Sequence, residues 1–146
     1  GMDGCLYVAG GYTDSDRILD TVLRCDPREG AWNQLASMSA PRLAAAFCAN
    51  NGCLYAVGGF NHESLHLNSV EVYDIRADRW RAVASMAVAR YDLGVSVLSG
   101  KLFAVGGCDV DDNSTRVVEE YDIARDEWKL GTPLPVPTQY QTCSPA

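Results

Sequence analysis

Asn51-Gly52-Cys53-Leu54-Tyr55-Ala56-Val57-Gly58-Gly59, followed downstream by Asn68-Ser69-Val70-Glu71-Val72-Tyr73-Asp74 and Trp80, carries the architecture of this chain. Asn-Gly tolerates positive φ at both centres of a two-residue hairpin turn. The apolar run Cys53 to Val57 is therefore expected to pair antiparallel with the small-sided run before it, Ala44 to Ala49. Gly58-Gly59 ends that strand where a backbone must turn sharply or approach another closely. Val70 to Tyr73 reads as a third strand that closes at Asp74, whose carboxylate is placed to accept N–H groups of the next turn. Trp80 marks a fourth strand, expected to run on to Met86.

The same grammar returns every 48 residues without an insertion. Gly58-Gly59 is matched by Gly10-Gly11 and Gly106-Gly107, Asp74 by Asp26 and Asp122, and Trp80 by Trp32 and Trp128. The opening turns Asp3-Gly4 and Ser99-Gly100 precede the runs Cys5 to Ala9 and Lys101 to Val105, and Leu93 to Leu98 is the inner strand matching Ala44 to Ala49. Self-similarity at a period of about 40–50 residues marks stacked supersecondary units. Four strands per unit and no helical periodicity describe an all-β chain built of β-propeller blades. The units are expected at about 3–50, 51–98 and 99–146, with 138–146 aligned on the inner strand of a following or partner blade.

At 146 residues, 47% hydrophobic and 21% charged, the composition is that of a globular domain. No apolar run reaches the roughly 18 residues of a membrane span, and the start shows no basic-then-apolar leader pattern. A cytoplasmic location, with nuclear or cytoskeletal association as alternatives, and no membrane partner are expected. The net charge of -7 repels phosphate backbones, which argues against nucleic acid as a partner. Six cysteines without metal-type spacing, two of them (Cys5 and Cys53) at one repeat position, read as reduced thiols acting as small apolar residues.

No catalytic constellation assembles. His62 and His66 stand four apart in a loop with no zinc-protease pattern around them, and they read as solvated or partner-contact residues. Asp109, Asp111 and Asn113 imitate a calcium loop but lack its central glycine. No helix follows the glycine doublets, so they are not phosphate cradles. The chain is expected to be no enzyme and to need no metal or cofactor.

The doublets, the Tyr73-Asp74 and Tyr121-Asp122 pairs, the Trp after each Asp, and Pro41-Arg42 and Ala89-Arg90 ahead of the inner strands resemble Kelch repeats. The cadence is most similar to the Kelch domain of BTB-Kelch adaptors. Cys25 departs from that pattern in place of a Tyr, and Thr138 in place of an Arg. The resemblance implies three four-stranded blades, half of a ring of about six. It also implies a non-enzymatic protein-recognition module, the substrate-binding part of an adaptor for a cullin-RING ubiquitin ligase, with the cullin held only by domains outside this sequence. A Kelch scaffold for actin or another cytoskeletal partner is the alternative. Propeller enzymes of the sialidase or copper-oxidase kind are disfavoured, because the Ser-x-Asp-x-Gly-x-x-Trp box and converging histidines are absent from the sequence.

Carried over residue by residue, the family's partner pocket falls on Tyr12 and Asp14, Phe60 and His62, Cys108 and Val110, Leu43, Tyr91 and Asp92, and Gln139 and Tyr140. Tyr12, Phe60, Tyr91 and Tyr140 are the rigid aromatics that dominate interface energies. Arg42 and Arg90 read equally as pocket residues or as structural ones pairing across blades, and are not counted among the substrate contacts. The three doublet-to-strand loops, with Asp14, Asp16, Asp20, Glu63, Asp109, Asp111 and Asp112 against Arg17 and Arg116, hold a net -5 of the chain's -7. That face is expected to be electronegative and to attract a basic segment of a partner protein. Three blades leave two blade faces uncovered, so the chain reads as part of a larger adaptor or as half of a homodimer completing a six-bladed ring.

Overall fold

The computed structural model describes residues 4–139. Three antiparallel sheets follow one another along the chain. The first contains β1 (Leu6–Ala9), β2 (Val22–Asp26) and β3 (Ala31–Gln34) in that order. The second is built from β4 (Ala46–Asn50), β5 (Cys53–Val57), β8 (Val70–Asp74) and β9 (Arg79–Val83), with the short hairpin β6 (Phe60–Asn61) and β7 (Leu65–His66) inserted after β5. The third contains β10 (Gly94–Leu98), β11 (Lys101–Val105), β12 (Val118–Asp122) and β13 (Glu127–Leu130). The second and third sheets are four-stranded as expected, whereas the first has three strands among the described residues.

Register follows from the turns. Asn50 pairs with Cys53 and Leu98 with Lys101. Their two-residue links hold φ of 48° and 79° at Asn51 and Gly52, and 51° and 75° at Ser99 and Gly100. These are the left-handed conformations that match hairpin twist. The third-to-fourth strand turns are tied by the recurring carboxylate: Asp74 Oδ1 accepts the N–H of Arg76 and Ala77, and Asp122 Oδ1 those of Ala124 and Arg125. In the first sheet Asp26 accepts from the Arg28 backbone and guanidinium, which lowers its carboxyl pKa to about 2. The fourth strands are shorter than expected. They end at Gln34, Val83 and Leu130, because the next segment leaves the ladder and Met38 and Met86 N–H bond instead to the carbonyls of Asp20 and Asn68.

Alternate residues of each strand face opposite sides, so β5 and β8 of the second sheet, which has a neighbouring sheet on each side, are buried along most of their length. Tyr55, Val57, Val70 and Val72 of the second sheet pack with Leu93, Val95, Leu102, Ala104 and Tyr121 of the third. On its other face Ala56 packs with Val22 and Met38 of the first sheet's unit. Two polar devices fix each junction. In one, the Trp80 indole donates to Ala36 O (2.9 Å), while Asp78 Oδ1 accepts both Ala36 N–H and the Tyr73 hydroxyl. Trp128, Ala84, Asp126 and Tyr121 repeat this between the second and third sheets. The first sheet has Cys25 at the Tyr position, and Trp32 there is half exposed.

The second device is a buried arginine. Arg42 exchanges backbone hydrogen bonds with Leu19 O and Gly11 N–H of the first unit, while its guanidinium enters the second sheet to bond Gly58 O, Ser69 and Glu71. Arg90 does the same one repeat later, with Leu67 O and Gly59 N–H on one side and Gly106 O, Val117 O and Glu119 on the other. Of the two readings of these arginines, the cross-blade structural one is observed. It also accounts for the doublet: at Gly58 (φ +62°) a Cβ would lie 2.5 Å from Arg90 O. Only a bare backbone at positive φ lets the arginine segment seat that closely.

Candidate partner-binding face

Each glycine doublet opens a loop that folds back as a miniature hairpin. Tyr12 bridges Ile18, Phe60 pairs with His66, and Cys108 bridges Ser114. Small side chains hold these loops in shape. Buried Asn61 accepts the N–H groups of Glu63 and Ser64 and donates to Pro41 O. Asp109 accepts those of Asp111 and Asn113. Because the loops sit at one repeat position on adjacent sheets, they lie side by side at one end of the stack.

The centre is aromatic. The Phe60 ring lies edge-on to His62 (6.2 Å between centroids), His66 (6.0 Å) and Tyr91 (6.3 Å), and His66 lies 5.3 Å from Tyr91. The cluster is stapled to both neighbouring loops. His62 Nε2 is 3.1 Å from Asp16 O, while Asp112 Oδ1 receives His66 Nε2 (3.1 Å) and the Tyr91 hydroxyl (3.0 Å). The His66 contact, and then the Tyr91 hydroxyl, hold the Asp112 carboxyl below its ordinary range. Burial, then the same carboxylate, raises the Tyr91 phenol. A cleft of about 160 Å³ between the first two loops is lined by Arg17, Ile18, Pro41, Asn61, His62 and Glu63.

Of the residues expected at the pocket, Phe60, His62 and Tyr91 come together in this cluster. Tyr12 is 62% exposed and Asp14 is exposed, both on the first loop. Asp92 donates its backbone N–H to Ala44 O at φ 51°. Gln139 accepts from the Cys108 thiol. Asp109 organises its own loop through the two N–H groups above. Tyr140 lies outside the described residues. Of the other carried-over positions, Leu43 exchanges backbone hydrogen bonds with Phe60, and Val110 is exposed. The exposed acids of the face include Asp14, Asp16 and Asp111, while Asp112 is engaged by His66 and Tyr91. His66 and Asp112 were expected only as a loop histidine and as one acid of the electronegative face, not as members of the aromatic pocket. Their signal was present in the repeat register, which puts Asp16 and Asp112 at one position on either side of the two histidines. Among the described residues no group of His, Cys, Asp and Glu is arranged to hold a metal ion.

Stacked four-stranded antiparallel sheets with a repeated junction and variable loops on one face define a blade-repeat protein of the propeller class. The Kelch motif matches residues 1–39, 41–87 and 89–135, and the chain belongs to the Kelch repeat family. No curated protein matches it in sequence. Among solved structures it is similar to the one titled "Structure of YjhT", with a TM-score of 0.80 at 17% identity, over 95% of this chain and 52% of that one. The likeness is one of fold, and the chain spans about half the length of that protein.

Proposed function

We propose that the loop end of the stack is a protein-recognition face and that the chain is a binding module rather than an enzyme. The observation that carries this reading is the aromatic cluster of Phe60, His62, His66 and Tyr91, held by Asp16 and Asp112 of the adjoining loops and bordered by exposed acids. Preorganised aromatics lose little entropy on contact and supply most of an interface's energy, while the acids accelerate encounter with a basic segment. The resemblance to BTB-Kelch adaptors supports the role we assign: delivery of a basic-segment substrate protein to a cytoplasmic cullin-RING ubiquitin ligase, the cullin contacted by domains outside this sequence.

The test is capture of cytosolic partners on wild-type chain and on Phe60→Ala and Tyr91→Ala variants. Partners that bind the wild type with a salt-dependent on-rate, weaken about tenfold or more with each variant, and include ubiquitylated substrates support the reading. Partners indifferent to both variants sink it, and retention of filamentous actin as the one specific partner replaces it with the scaffold.

A further inference from the structure

We propose that the outward face of the first sheet is the docking site for the far end of a second copy of this chain, joined head to tail. The face presents Leu6 (55% exposed), Val8 (50%) and Trp32 (51%), with half-buried Leu23 opposite Val8 in the β1–β2 register. Position by position, these residues correspond to those with which the second and third sheets grip the sheet before them. The corresponding residues Leu54, Ala56, Leu102 and Ala104 are buried in the junctions.

The occupant is identified by which polar groups have changed. At both junctions within the chain an arginine seated on one unit enters the next sheet to meet a glutamate, Arg42 with Glu71 and Arg90 with Glu119. Leu23 stands at the glutamate position of the first sheet, where it pairs with Val8 as Glu71 pairs with Ala56. An incoming unit of the ordinary kind would bury an arginine against Leu23 with no counter-charge, which is strongly unfavourable. In this sequence the segment at that position without an arginine is the one seated on the third unit. Thr138 takes the arginine's seat on the third unit: Gly107 N–H donates to Thr138 O, and Thr138 N–H to Thr115 O, as Gly59 and Leu67 do with Arg90. Glutamate is exchanged for leucine at one end and arginine for threonine at the other. The two ends fit each other and misfit an ordinary junction.

The second junction device agrees. Cys25 and Gly30 stand where Tyr73 and Asp78, and Tyr121 and Asp126, make their bonds, whereas Trp32 keeps the indole position of Trp80 and Trp128. Thr132 of the second copy occupies the repeat position of Ala36 and Ala84, whose carbonyls those indoles bond. Phe103 falls at the Tyr55 position, which meets Tyr121 edge-on inside the chain, and would face the smaller Cys25. Glu120, on that end of the third sheet, is already neutralised by Lys101 (3.1 Å) and Lys129 (3.3 Å). It therefore brings no unpaired carboxylate to the junction, and the lysine that exceeds it in charge stays accessible to water.

The experiment is sedimentation equilibrium of the 146-residue chain and its variants, with circular dichroism to confirm folding. The wild type is expected at twice its 15.8 kDa mass. Leu23→Glu and Thr138→Arg are each expected to raise the dimer dissociation constant about a hundredfold, because each buries an unpaired charge. An equimolar mixture of the two variants is expected to dimerise again: one junction then joins the introduced carboxylate to the introduced guanidinium, and the other is native. A wild-type monomer at all concentrations, a mass that grows without closing, or a dimer indifferent to Thr138→Arg overturns the proposal. Should one variant fail to fold, the Leu23→Glu, Thr138→Arg double variant supplies the same comparison. Loss of partner binding at the loop face leaves this result untouched, so the two readings fail separately.

Discussion

Glu119→Leu introduces into the third sheet the residue that the first sheet carries naturally at Leu23. Its cost can be reasoned from contacts. Glu119 Oε2 accepts from Arg90 Nη2 at 2.8 Å, and Oε1 accepts the Ala87 N–H at 2.6 Å, with both side chains essentially inaccessible to water. Burial draws the Arg90 guanidinium below its usual pKa, and the charge and hydrogen bond of Glu119 oppose that. Without the carboxylate, Arg90 is a buried cation held by neutral carbonyls and the Met86 thioether, and a backbone donor is orphaned. Breaking such a pair costs about 3–5 kcal/mol, or roughly 10–15 °C of melting temperature for a chain of this size. Arg90→Met in the same background removes the stranded charge. The double variant should therefore be more stable than the sum of the single losses implies, with a coupling of about 2 kcal/mol or more. Glu71→Leu should cost more than Glu119→Leu. Arg42 engages Glu71 through both Nε and Nη2, whereas Arg90 Nε is buried without a hydrogen-bond partner. Thermal and urea unfolding followed by circular dichroism measure all four variants. A Glu119→Leu loss under about 1 kcal/mol, or strict additivity, would refute the view that this pair fastens the junction.

Gly58→Ala is expected to destabilise by at least about 2 kcal/mol, since it combines a left-handed φ with a clash against Arg90 O; an unchanged urea midpoint would show the seat to be loose. Trp80→Ala should cost about 3 kcal/mol through lost stacking on Tyr73 and the lost bond to Ala36 O, and Trp32→Ala much less in the monomer, as calorimetry can compare. Asp78 is held below the ordinary carboxylate range first by the Ala36 N–H and then by the Tyr73 hydroxyl; for Asp126 the Tyr121 hydroxyl comes first and the Ala84 N–H second. A depressed folded-state pKa gives stability that is complete above the unfolded-state value and is lost as pH falls through the folded-state one. The double variant Asp78→Asn, Asp126→Asn should therefore narrow the stability gap to wild type as pH is lowered from 6 toward about 2, and a gap independent of pH would exclude this linkage.

The sheets were legible because their determinants are local and thrice repeated. Asn51-Gly52 and Ser99-Gly100 dictate hairpins whatever surrounds them, and Asp74 and Asp122 close their turns with neighbouring N–H groups. The strand ends at Val83 and Leu130 were not legible, since they depend on where the departing segment finds acceptors in another loop. At the candidate face, Phe60 and Tyr91 could be placed by repeat position. The roles of His66 and Asp112 could not, because their contact joins variable loops of different units, where no period operates. Asp109 shows a local role that composition does not reveal: its Oδ1 is engaged by N–H groups two and four residues on, a turn bond within its own loop.

The seating of each arginine segment on a side-chain-free glycine has a consequence for variation. Entry to every loop is set by the doublet and exit by the third strand, and Phe60 meets the frame at Leu43 through backbone hydrogen bonds that any side chain allows. The hairpin at 60–66 can be rewritten without re-registering β5 or β8, whereas a single methyl at Gly58 reaches the neighbouring blade. The chain thus places loops that differ from unit to unit within a few residues of an intolerant chassis, which makes its loop end a natural place to install new binding specificities by exchange of loops between units.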